Sequence, residues 1–188
     1  MLKFITGNKT KFKEVQAALA PIKVEQINID LHEIQGIDPK KIIEHKLKEA
    51  FKHHKGEFII DDSSLFLSCF DYKLPGPLIK WFNDTIGTKK IYEMCGKMGD
   101  SKAMAITYIG YAKSPKEIKF FEGSLNGTIV APKGKYNFGY DPIFQPKGKN
   151  LTLSEMKEKN DFEFSPRGLT LLKLKKYLSK NHLPFSRP

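Results

Sequence analysis

A short apolar segment, Leu2 to Thr6, runs into a Gly7-Asn8 turn and then into a helix pattern from about Lys9 to Leu19. This strand–turn–helix opening sets the class of fold as α/β. Asn8 stands at the N-cap position of the helix. Phe12, Val15 and Leu19 form its apolar stripe, and Pro21 stops it. Val24 to Leu31 then alternates Ile27, Ile29 and Leu31 with polar residues, as a half-buried strand does. Asp38-Pro39 is an N-cap followed by proline at the first helical position. The helix it opens is expected to reach about Lys55, with Gly56 at its C′ position. Phe58 to Ile60 reads as an apolar strand that ends in Asp61-Asp62.

The second half has a different rhythm. Leu78 to Phe82 and Thr88 to Lys97 look helical, and Ala103 to Ala112 and Glu117 to Val130 look like antiparallel strands. A loop rich in Lys, Gly and Pro covers Pro132 to Asn150. Thr152 with Glu155 predicts a capping box. Ser165-Pro166 starts a last helix with an apolar stripe of Leu171, Leu174 and Leu178, joined by Leu172. The strand order is therefore mixed. With 188 residues, 40% of them apolar, and no linker or repeat, a single domain over residues 1–188 is expected.

The net charge of +11 favours a polyanionic partner without choosing among nucleic acid, a phosphorylated small molecule and an anionic membrane surface. No apolar run approaches the ~18 residues of a membrane span. Cys69 and Cys95 lack metal-ligand spacing and read as reduced cytosolic thiols, so a cytoplasmic location is expected.

Five segments have side chains suited to chemistry. Thr6, Gly7, Asn8, Lys9, Thr10 and Lys11 form a glycine turn at a helix N-terminus, a place for an anion, though an ordinary turn has the same shape. It is not a Walker loop, which needs a longer glycine-rich stretch. Asp61-Asp62-Ser63-Ser64 follows an apolar strand, where ligand sites of open α/β sheets gather. On a continuing strand the two carboxylates would point to opposite faces, so that one alone serves a site. Lys46 falls inside the apolar arc of its helix, between Ile42 and Ala50, and either meets an anion or snorkels to water. Phe138, Gly139, Tyr140 and Asp141 suit a planar heterocycle, which rings stack on and a carboxylate accepts from, or else pack on their own core. Arg167 lies in the first turn of the last helix, where a cation opposes the macrodipole unless an anion or solvent offsets it.

These segments occur in the order that resembles the inosine triphosphate pyrophosphatase family. The residues that carry the resemblance are Phe4-Ile5-Thr6-Gly7-Asn8 with Lys11, Leu31-His32-Glu33-Ile34-Gln35-Gly36, and Asp61-Asp62-Ser63. They continue with Leu74-Pro75-Gly76-Pro77-Leu78-Ile79-Lys80-Trp81-Phe82 and Phe138-Gly139-Tyr140-Asp141-Pro142. Glu155-Met156, Glu158-Lys159-Asn160 and Ser165-Pro166-Arg167 complete the set. The resemblance implies an elongated two-lobed α/β fold, with a mixed twisted sheet flanked by helices and a central substrate cleft. It also implies a homodimer. The implied reaction hydrolyses non-standard purine nucleoside triphosphates (inosine, deoxyinosine and xanthosine triphosphates) to the monophosphate and pyrophosphate. Matched by position, the turn from Thr6 to Lys11 holds phosphate, and Glu33 and Asp62 ligate Mg²⁺, for which Mn²⁺ can substitute. Lys46, Ser63, Lys80, Lys159, Pro166 and Arg167 line the substrate site, and Phe138 to Asp141 hold the base. Asp62 is the first choice for activating the water and Asp61 the second.

Two departures and two competing readings complete the expectation. The family has Ser-His-Arg where this chain has Ser165-Pro166-Arg167, and proline cannot donate the side-chain hydrogen bond with which that histidine meets the purine. Asp61 stands where glutamate is frequent. Pro166 leaves open relaxed base selectivity, or nucleotide binding without turnover. A basic nucleic-acid-binding module is the other class, disfavoured because Glu33 and Asp62 would repel a phosphate backbone without a metal.

Overall fold

The computed structural model describes residues 1–159, 161 and 163–182. Its elements are β1 (Leu2–Ile5), α1 (Lys9–Leu19), β2 (Val24–Ile27), α2 (Pro39–His53), β3 (Glu57–Leu67), β4 (Pro75–Gly76) and α3 (Ile79–Thr85). They continue as α4 (Gly87–Lys97), β5 (Lys102–Ser114), β6 (Glu117–Ile129), β7 (Phe144–Pro146), α5 (Leu153–Glu158) and α6 (Pro166–His182). The strands form one seven-stranded sheet in the order β2-β1-β3-β5-β6-β7, with β4 beside β3. β1 runs parallel to β2 and β3, and the β3–β5, β5–β6 and β6–β7 pairs are antiparallel. The mixed α/β class expected from the sequence is the one observed.

The helix starts follow their caps. The Asn8 side chain accepts from the N–H groups of Thr10 and Lys11 at 2.9 and 3.0 Å, and Asp38 does the same for Lys40 and Lys41. Thr152 and Glu155 close a reciprocal capping box. Leu171, Leu174 and Leu178 are buried against Val15 and Leu19 of α1 and Ile59 of β3. Leu172 is half exposed, about 100° round the helix from Leu171 and off the stripe.

Four boundaries differ from the expectation. β2 ends at Ile27, and Ile29 and Leu31 satisfy the alternation by packing on the α2 cluster without a strand. α2 ends at His53, and its C-cap His54 is extended, so Gly56 is not the C′ residue. The basic loop contains a short strand, β7. Most consequential, β3 does not end at Asp61-Asp62 but continues to Leu67.

That continuation positions the site. β1 stays in register with β3 only as far as Phe4 opposite Ile59. Beyond that point β3 keeps β5 on one side, with Asp61 opposite Ile109 and Asp62 opposite Tyr108. Alternation then separates its side chains. Ile60 packs in the cluster beneath α2, with Ile43 and Leu47. Ile59 packs on the other face, with residues of α1 and α6. A third cluster joins the far ends of β3 and β5 to α3, α4 and α5.

Candidate active site

One cleft of about 950 Å³ opens where β1 stops. Its walls are the α1 N-terminus, residues 29–33, α2, the middle of β3, residues 77–88, residues 137–141 and the α6 N-terminus. Of the site residues expected from the sequence, Lys9, Thr10 and Lys159 fall outside this lining, and all the others contribute to it. Lys9 is exposed in the first turn of α1. Lys159 is the exposed C-cap of α5, whereas Lys157 is buried and enters the cleft. Two residues apart on a helix is about 200°, so only one of the two lysines can face inward.

The floor is a chain of alternating charges. Lys11 Nζ lies 3.0 Å from Asp61 Oδ1, and Arg167 Nε lies 2.9 Å from Asp61 Oδ2. Arg167 Nη1 reaches Glu14 at 2.6 Å, and Lys157 Nζ lies 3.2 Å from the other Glu14 oxygen. Lys157 closes the chain on Asp141 at 2.8 Å. The Tyr136 hydroxyl also donates to Glu14, at 3.0 Å. Arg167 Nη2 donates to Ser63 Oγ, which shares a hydrogen bond with Thr107. Arg167 is 4% exposed, so its partners, not solvent, settle its charge at a helix N-terminus.

α6 delivers that arginine by close approach to the sheet. A Cβ built on Gly123 of β6 would sit 2.3 Å from the Pro166 carbonyl oxygen, so no larger residue fits without moving α6. Asn8 has a further effect on the turn from Thr6 to Lys11. It occupies the N–H groups of Thr10 and Lys11, and Lys11 itself is held by Asp61.

The electrostatics separate the two adjacent acids. Burial raises the Asp61 pKa, but Lys11 and Arg167 outweigh it and hold the group below its usual value. Asp62 points to the α2 face, where Ser64 donates to it at 3.3 Å. Burial, with Asp61 and Glu33 nearby, pushes its pKa up to about 6 against the pull of Lys11 and Lys46. Lys46 Nζ lies 2.5 Å from Glu33 Oε2 at the cleft mouth. Burial also raises Asp141, opposed by Lys157, while Glu14 is held low by Arg167 and Lys157 against its own burial.

The aromatic wall is beside this floor. Lys157 and Arg167 lie over the Phe138 ring at 5.3 and 5.4 Å. Tyr140 is buried against Phe144 at 6.1 Å, edge to face. Gly139 takes a φ of 55°, a left-handed turn that glycine adopts freely. Among the described residues, no three His, Cys, Asp or Glu side chains gather as a metal cage. Asp62 and Glu33 fit Mg²⁺, which takes one or two carboxylates and completes its shell with water and phosphate.

Sequence reading passed over Glu14, Tyr136 and Lys157. Glu14 lies three residues after Lys11 and so on the same ridge of α1, a signal that was available. Lys157 was hidden by the adjacent Glu158-Lys159-Asn160 motif.

A mixed α/β sheet, with an acid-bearing strand and a helix-borne arginine meeting in one deep polar cleft, defines a protein built to hold a charged ligand beside carboxylates. The chain belongs to the Ham1 family, which it matches over residues 2–177. It is 36% identical to an inosine triphosphate pyrophosphatase of Schizosaccharomyces pombe, with 93% of each chain covered. It is 37% identical to one of Kluyveromyces lactis, covering 93% of this chain and 94% of that protein. Among solved structures, the Ham1 protein of Staphylococcus aureus superposes with a TM-score of 0.80 at 22% identity, over 96% of this chain and all of the other. A dITP/XTP pyrophosphatase of Mycobacterium abscessus gives a TM-score of 0.70 at 24% identity, over 92% and 98%.

Proposed function

We propose that this protein hydrolyses non-standard purine nucleoside triphosphates, those of inosine, deoxyinosine and xanthosine, to the monophosphate and pyrophosphate. The observation that carries the reading is the division between the two acids of β3. Asp61 is neutralised by Lys11 and Arg167, and among the described residues no cation pairs with Asp62, which lines the cleft with Glu33 and Lys46. Its relatives named inosine triphosphate pyrophosphatase support the substrate class.

Phosphoryl-type displacement is catalysed mainly by positioning and charge stabilisation. Lys46 and Lys80 supply ammonium groups for the triphosphate, and Arg167 holds the floor rigid from beneath. Asp62 accepts the proton of the attacking water or orients it, and Ser64 fixes the carboxylate. Phe138 offers a ring face to the purine, with Asp141 and Lys157 at its edge. Mg²⁺ held by Asp62 and Glu33 would offset the charge of the phosphates. Without a metal, Glu33 and Asp62 disfavour a nucleic-acid backbone as the ligand.

We also read the protein as a cytoplasmic homodimer. Exposed Ile86 on the α3–α4 edge, and two unbridged cysteines, support this reading. No helix among the described residues is long and apolar enough to cross a membrane.

The test is a substrate panel with Mg²⁺, scored for product. Pyrophosphate from inosine triphosphate is expected. Orthophosphate as first product, or no turnover, overturns the reading. Light scattering reports the dimer.

A further inference from the structure

Lys46 and Glu33 are both expected to serve a bound nucleotide, one at a phosphate and the other at a metal. In this structure they serve each other, at 2.5 Å. Lys46 is fixed on α2, in the ridge between buried Ile42 and Ala50. Glu33 lies in the irregular segment between β2 and α2 and is about half exposed. That segment is pinned next to the pair, where the His32 ring meets the His45 ring of α2 edge to face at 5.5 Å. Glu33 is therefore held within reach of Lys46, and both line the same cleft as Asp62.

We propose that the Lys46 ammonium stands in for the metal at Glu33 until a triphosphate draws it away, so that metal and nucleotide enter by exchange of one ion pair. This rests on the metal and substrate reading above. A divalent cation alone would have to break the pair and then sit beside an ammonium, a like-charge contact. A triphosphate alone would take Lys46 and leave Glu33 as a bare carboxylate beside phosphate oxygens. Together, the cation satisfies Glu33 and the phosphate satisfies Lys46. Each ligand then tightens the other by the same factor, as linkage requires.

The experiment is Mn²⁺ binding followed by electron paramagnetic resonance, with and without the α,β-methylene analogue of inosine triphosphate. Wild type is expected to bind Mn²⁺ weakly alone and about tenfold or more tightly with the analogue. Lys46→Met is expected to bind Mn²⁺ alone about tenfold more tightly than wild type, and to lose most of the coupling. Lys46→Arg retains a cation and should behave as wild type. A second arm uses Glu33→Gln in EDTA, where freed Lys46 should bind the metal-free analogue several-fold more tightly. Unchanged or weaker Mn²⁺ binding by Lys46→Met overturns the exchange while leaving the metal reading intact. Absence of Mn²⁺ binding in every protein, with or without analogue, overturns both.

Discussion

Asp61 and Asp62 are neighbours in β3, yet Asp61 faces Lys11 of α1 and Arg167 of α6 while Asp62 faces the α2 side. Strand alternation alone produces the division. One carboxylate is spent on structure, and the other is left free for chemistry.

Opposite outcomes are therefore expected for the two amide variants. Asp62→Asn should cut turnover by ~10²-fold or more and leave the fold intact. Asp61→Asn should destabilise the protein by about 3 kcal/mol or more, because buried Arg167 and part-buried Lys11 lose their shared partner. Thermal unfolding and initial rates on both proteins check this. Full activity in Asp62→Asn would remove it from the mechanism.

Acid should weaken metal binding in a defined window. The Asp62 pKa, raised to about 6, means that its proton competes with a cation as pH falls through that value. Stability runs the other way. The folded group holds its proton up to about 6 and the unfolded group only to about 4. Between these values the folded state binds more protons, so this group's contribution to stability is present below about 4 and is lost as pH rises through about 6. Asp62→Asn should raise the melting temperature at pH 8 and change it little at pH 4. An equal shift at both would show that the carboxyl is not perturbed.

Lys157 and Lys159 should separate cleanly. Lys157→Met leaves Asp141 and Glu14 without their ammonium and is expected to lower kcat/KM for inosine triphosphate by about tenfold or more. Lys159→Met changes an exposed side chain and should stay within about twofold. Kinetics of the two variants, with their melting curves, test the placement. A large loss confined to Lys159→Met would reverse it.

Pro166 lies buried at the start of α6 and lines the cleft without a side-chain donor. Preference for inosine over adenosine triphosphate should be about tenfold weaker than with a histidine there, or ~1.4 kcal/mol. Pro166→His should restore it, since the proline position accepts other residues at the first turn of a helix. Equal kcat/KM ratios in both proteins would assign the discrimination to Asp141 and Lys157.

Much of this was legible in advance. Asn8, Asp38-Pro39 and Thr152 with Glu155 announce helix starts by local hydrogen bonding, which survives whatever the tertiary context does. The run of β3 past Ile60 was not legible. The strand changes from apolar to polar where β1 stops covering it, and that change looks like an end. Which lysine enters the cleft depends on where α5 stops, and a motif match does not contain that information. The ridge that Glu14 shares with Lys11 was legible, but its partner Arg167, 153 positions away, was not.

The three cations and three carboxylates of the floor cancel, so the excess charge of +11 resides elsewhere on the chain. Capture and retention of a nucleotide are thereby assigned to different parts of the molecule. The outer lysines draw a polyanion from a distance, a pull that added salt screens within about 10 Å. The neutral, desolvated floor has no such reach, and its hold is set by short contacts that salt scarcely touches. Rising ionic strength therefore slows arrival and leaves the lifetime of the bound state nearly unchanged.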